Sequence, residues 1–278
     1  MRRLAPIAIA CALALPAHAQ LALGDMELGV GVGGMNYIGD LNNQGMLGAP
    51  HWAGGLFCRI NWDNRWALVL GAAAGQVEGG SPDCMAWRNL SFRSPILEGT
   101  MRMEFNFWPY GQGDMRFRWT PFIFGGIGAF HFNPKALLED PATHEARWHE
   151  LQPLGTEGQG LEEYAGRTPY ALTQLSMPFG LGVKWTPTKT VTLSAEYGFR
   201  KSWTDYLDDV STTYADNALL RQRRGEVAAA LADRSAIPNA TGIKRGDDSL
   251  DDWYAYFNVS VSVSFDLLFG WMRKKRCD

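Results

Sequence analysis

Residues 253–265 read WYAYFNVSVSVSF, and this run limits what the chain can become. Trp253, Ala255, Phe257, Val259, Val261, Val263 and Phe265 alternate without a slip with Tyr254, Tyr256, Asn258, Ser260, Ser262 and Ser264. Successive side chains of an extended strand point to opposite faces, so the segment is a strand with one apolar and one polar side. It is also well beyond the about 5 or 6 residues of an ordinary strand.

The pattern recurs. Val191, Leu193, Ala195, Tyr197 and Phe199 alternate with Thr192, Ser194, Glu196 and Gly198. Leu97, Met101, Met103, Phe105 and Phe107 alternate with Glu98, Thr100, Arg102, Glu104 and Asn106. Leu175, Met177, Phe179, Leu181, Val183 and Trp185 share one face, and weaker versions cover 26–34, 52–62, 65–77 and 120–132. The total is eight candidate strands.

A soluble sandwich alternates too, but three features favour a membrane barrel. The segments run to about 9–13 residues, the length of a tilted membrane strand. Aromatic residues mark strand ends, as with Trp52 and Trp62, Phe122 and Phe132, and Trp253 and Phe265, as an interfacial girdle requires. Connections alternate short and long: short at 63–64, 108–119 and 186–189, long at 35–51, 78–92, 133–173 and 204–252. The expected fold is all-β: an eight-stranded antiparallel up-and-down transmembrane β-barrel with long extracellular loops. The longest loop should carry a helix over 216–234, with Asp216 or Asn217 as its N-cap, because Ala, Leu, Arg and Glu dominate there.

The polar faces place Glu98, Arg102, Glu104, Lys184, Glu196 and Arg200 inside. Eight strands leave an interior that side chains fill, and unpaired buried charge is costly. An ion-paired plug is therefore expected rather than a conducting pore.

The chain opens with Arg2 and Arg3, an apolar run from Leu4 to Leu15, and a small-x-small site at Ala17–Ala19. Residues 1–19 read as a cleaved secretory signal, which leaves 20–269 for the barrel and 270–278 as a basic periplasmic tail. A lipoprotein signal ending at Cys11 fits less well, since the run before it is short and Ile9-Ala10 makes a poor lipobox. Losing the two leader arginines takes the formal charge from −3 to −5, and with no basic stripe, nucleic acid is not an expected partner. Cys58 lies on a strand, Cys84 in an outward loop and Cys277 past the last strand, so no internal disulfide framework is expected.

Several motifs lack their context. GVGVGG at 29–34 has no helix or acidic residue following as a nucleotide fingerprint would. His144 and His149 are five apart, where the zinc-protease helix motif needs four. Asp205, Asp208 and Asp209 could together hold Ca²⁺, whose preferred ligands are carboxylate and carbonyl oxygens. The spacing lacks the Gly and closing Glu of an EF-hand, and capping of backbone N–H groups is the preferred reading. No cofactor is expected, and no base or nucleophile is placed to make the cluster catalytic.

Seven stretches carry a resemblance: MNYIGDLN (35–42), RNLSF (88–92), EFNFWPY (104–110), TPFIFGGIGAFHFNPKA (120–136), WHELQPLGTEGQG (148–160), MPFGLGVKW (177–185) and FRKSWTDYLDDVSTTYAD (199–216). In these the chain resembles the PorG (SprG) family, outer-membrane proteins of the type IX secretion system of Bacteroidota. The resemblance implies a non-enzymatic outer-membrane component with periplasmic termini. Such a component anchors or assembles the periplasmic ring built by a lipoprotein and its partner (PorK and PorN). A periplasmic partner could reach Arg273, Lys274, Lys275 and Arg276 in the tail, although anionic lipid headgroups would attract the same residues. The alternative is an outer-membrane barrel enzyme that modifies lipid A or cleaves peptides, with a site assembled at the rim from several strands.

Overall fold

The computed structural model describes residues 26–42, 50–81, 88–110, 117–139 and 143–264. The leader at 1–19, the tail with its four basic residues, Phe265, Cys84 and Cys277 lie outside the described residues.

Eight long strands form the wall: β1 (Met26–Ile38), β2 (His51–Asn61), β3 (Trp66–Gly80), β4 (Ser91–Asn106), β5 (Trp119–Phe132), β8 (Thr173–Trp185), β9 (Val191–Ser202) and β10 (Trp253–Ser264). Each pairs antiparallel with its neighbour in the chain, and β1 pairs with β10 to close the ring. The result is a closed eight-stranded antiparallel barrel. Two further strands, β6 (Lys135–Glu139) and β7 (Ala146–Glu150), make a hairpin beyond the rim, tied to β4 at Arg93 and Lys135. That hairpin falls inside a segment expected to be loop, since neither KALLE nor ARWHE alternates.

Alternation decides the direction of every wall residue. Val30, Leu56, Leu70, Ile127, Leu175 and Leu181 are all exposed on the outer surface. Their chain neighbours point into a lumen that holds Glu27, Arg59, Glu104, Lys184, Glu196 and Arg200, all buried. The molecule is apolar outside and charged inside, the reverse of a water-soluble domain.

Phe122 and Phe132 were expected in the girdle but point into the lumen and are buried. Both sit at even positions of β5, while the outward set there is Ile123, Ile127 and Ala129. The lumen cations explain Phe122: Lys184 Nζ lies 4.5 Å from its ring centre, as the Arg102 guanidinium lies 4.6 Å from that of Phe124, favourable positions over a negative ring face. Phe132, nearer the rim, instead stacks on Tyr170 with ring centres 6.1 Å apart and joins the apolar core there. Trp52 and Trp62 do project outward and are exposed. At the short-turn end the girdle includes Trp66, Trp119 and Trp185, the last two directly paired across β5 and β8.

Strands run past their expected ends on the long-loop side. β3 and β4 stay paired out to Gly80 and Ser91 and stand above the wall. The long loops fold down onto this rim. Loop 203–252 carries α1 (Asn217–Arg224) and α2 (Glu226–Ala232). Asp216 caps α1, its carboxylate accepting from the N–H groups of Ala218 and Leu219 at 2.9 and 3.1 Å. Gly225, at φ 93°, splits what the composition reads as one helix, a conformation that favours glycine.

Candidate functional site

The lumen is filled by two charge clusters. Toward the short turns, Arg59 bridges Glu27 (2.9 Å) and Glu104 (3.0 Å), and Lys184 reaches the same Glu104 at 2.5 Å. Asn61 and Ser262 also donate to Glu27. Toward the loops, Arg102 meets Glu196 at 2.9 Å and Arg200 meets Glu98 at 3.2 Å, while Tyr254 donates to Glu98 at 2.7 Å. All six residues expected in the lumen are therefore buried there in ion pairs. Glu27 and Arg59 complete the network; their inward phase follows from the alternation of β1 and β2, which Gly-rich composition blurs.

Apart from Arg59–Glu27, which links the paired strands β1 and β2, the pairs join strands that are not neighbours in the wall, as with Glu98 on β4 and Arg200 on β9. In so confined a space, a charge that lost its partner would have no water to replace it. The void among Glu98, Arg102, Glu196 and Arg200 is about 30 Å³, room for about one water. The short-turn end is closed by Tyr110, which is buried and bonds Thr192 at 2.9 Å as well as Thr186. Among the described residues, paired side chains fill this lumen.

Above it the loops build a second core. Phe92, Phe130, Phe132, Leu151, Tyr170, Leu207, Val210 and Leu231 pack over the rim. At its centre Arg245 donates to Glu157 at 3.0 Å and to the Asp209 carbonyl at 2.6 Å. Glu157 also accepts from the N–H groups of Ser211 and Thr212, each at 3.0 Å.

The acidic stretch at 205–209 turns inward. Asp209 accepts from Thr156 at 2.5 Å and Tyr170 at 2.7 Å. Burial raises its carboxyl to about 6, although Arg245 opposes the shift. Asp208 is turned toward Tyr37 and the Val210 N–H. Asp205 is half-buried, and burial pushes it up to about 8 although the Ser211 hydroxyl pulls the other way. The three do not converge, and among the described residues no group of three His, Cys, Asp or Glu side chains is placed to hold a metal. The carboxylates at 208 and 209 bond backbone and hydroxyl donors within the cap, Asp208 taking the Val210 N–H in the manner of the capping reading.

A family model described as a domain of unknown function (DUF6089) matches residues 3–153. The chain belongs to this family. The DUF6089 match runs from the leader through β1–β5 and the β6–β7 hairpin. Lumen pairs cross its boundary: Glu98, Arg102 and Glu104 lie within it and their partners Arg200, Glu196 and Lys184 beyond it. No curated protein matches the chain. Among solved structures it is similar to Neisserial surface protein A, at 8% identity and a TM-score of 0.42, over 86% of this chain and 97% of that one. It is also similar to the outer membrane protein OprG of Pseudomonas aeruginosa, at 10% identity and 0.42, over 87% and 96%. Ail, the attachment invasion locus protein of Yersinia pestis, matches at 10% identity and 0.39, over 86% and 97%.

Five of the seven quoted stretches meet in space. Tyr37, Phe92, Phe132, Leu151 and Leu207 come from these five and share the one core above the rim.

Proposed function

We propose that this barrel resides in the outer membrane and serves type IX protein export as a non-enzymatic anchor or assembly factor for the periplasmic ring. The observation that carries the membrane part is the continuous apolar outer wall around a charged interior, which water would not tolerate and lipid would. The export part rests on the resembling stretches, five of which pack together in the cap. A lumen plugged by ion pairs suits a fixed anchor better than a conduit.

A ring in the periplasm can touch the short turns, the Tyr110 end and the termini. We assign the basic tail, with Arg273, Lys274, Lys275 and Arg276, as the docking segment. Capture of the tagged chain from detergent-solubilised membranes, read by mass spectrometry, should recover the ring lipoprotein and its partner. Replacing the four basic residues with Ser should remove them from the eluate. Recovery of neither from wild type, with export intact in a deletion strain, would sink the export role. Unchanged recovery with the Ser variant would discard only the tail as docking site.

A further inference from the structure

Tyr37, the last residue but one of β1, stands buried between two carboxylates from opposite ends of the longest loop. Its hydroxyl lies 2.7 Å from Oδ2 of Asp208 and 2.6 Å from Oδ1 of Asp252, and all three residues are buried. Each carboxylate commits its other oxygen to the main chain. Asp208 Oδ1 accepts from the Val210 N–H at 2.8 Å, and Asp252 Oδ2 from the Leu207 N–H at 3.0 Å. The Asp252 N–H in turn donates to the Thr204 carbonyl at 2.9 Å, which draws the two ends of the loop together. Phe92 packs edge-on against the Tyr37 ring at 4.9 Å and holds the phenol in place. Gly39 backs the site so closely that a Cβ there would overlap both the phenol oxygen and Asp252 Oδ1.

A phenol has one proton to donate, and an ionised carboxylate has none. With both carboxylates ionised, one of the two short contacts would set lone pair against lone pair. Two like charges would also share a site sealed from water. Both contacts are satisfied when one carboxylic acid donates to the phenol oxygen while the phenol donates to the other carboxylate. Arg88 faces Asp208 and offsets part of its charge, but it is shared with Asp40, 3.9 Å from it, which also faces Asp208; Asp205 faces Asp252 and adds negative charge there. Arg245, the other buried cation of the cap, is taken by Glu157 and Asp209.

We propose that Tyr37, Asp208 and Asp252 form a proton-dependent latch: one shared proton fastens both ends of loop 203–252 to the barrel rim, and its loss releases the loop. Burial raises both carboxyls above the ordinary carboxylate range, and the charge of Asp208 raises Asp252 further. A group whose folded value is raised stabilises the fold fully at low pH and loses that contribution as pH climbs through the raised value. The cap is therefore tight in mild acid and loosens in mild alkali. The latch stands whether or not the export role does.

Amide hydrogen exchange of the detergent-folded chain, corrected for the chemical exchange rate, tests it between about pH 5 and about pH 9. Protection at 203–212 and 245–252 should fall with rising pH, by up to about tenfold per unit once the shared proton is lost. Asp252→Asn brings its own N–H to the phenol oxygen and should make that slope shallower, leaving only the share that Asp205 and Asp209 carry; Asp208→Asn serves the same purpose if the first variant fails to fold. Asp205→Asn should keep the slope, and wall amides should stay protected throughout. Flat wild-type protection, a slope as steep as wild type in the Asn variants at 208 or 252, a slope lost in Asp205→Asn, or parallel loss in the wall would each overturn the latch.

Discussion

Arg59 shows how much one side chain carries in a barrel of this width. It is buried, and it is the lumen cation bonded to both Glu27 and Glu104. Arg59→Met would leave Glu27 with only neutral donors, Asn61 and Ser262. Breaking a buried pair by removing one partner costs about 3–5 kcal/mol. Lys184→Met should cost less, because Glu104 retains Arg59. Urea titration of lipid-refolded protein, followed by tryptophan fluorescence, measures both. Equal midpoints for wild type and Arg59→Met would show that these pairs do not hold the wall. The lumen charges were legible as a set because they share a phase with the serines of β9 and β10. Their pairing was not, since Glu98 and Arg200 stand 102 residues apart.

At the scale of elements, period-2 alternation located all eight wall strands, although β1, β3, β4 and β9 extend beyond the alternating part. Those extensions arise where strands rise to pack against the loops, and the two-sided pattern no longer applies there. The helical reading of 216–234 was right in composition and in its cap, but Gly225 divides the helix. Asp216→Ala should cost about 1 kcal/mol of local stability by removing the cap from α1. Because α1 joins the small cluster of Ala215, Leu220, Ala229 and Ala232, the loss should appear as faster amide exchange at 217–224 with the wall unchanged. Exchange rates identical to wild type would mean that packing alone holds this helix.

For the molecule as a whole, the deciding feature is which side of the wall is greasy. Ile127 sits mid-strand on β5 and is exposed, as are Leu70 and Met101 in the same cross-strand row. If that row faces hydrocarbon, Ile127→Arg should destabilise the bilayer-folded protein by about 2–4 kcal/mol. In water an exposed arginine would be close to neutral. Refolding titrations into phospholipid vesicles distinguish the two, and a neutral outcome would remove the membrane reading together with the docking scheme built on it.

Alternation in the sequence determined the wall-strand count and most of the inward and outward faces, because neighbouring residues of a strand must diverge, and the alternating connection lengths gave the up-and-down order. It also identified which charges would be confined, though not their partners. The cap came only from tertiary structure. Aspartates in a polar stretch read as solvent-facing, yet Asp208, Asp209 and Asp252 are buried because Tyr37, Tyr170, Arg245 and backbone N–H groups converge on them from distant loops. Burial of that kind depends on three-dimensional donors, which no spacing along the chain reveals.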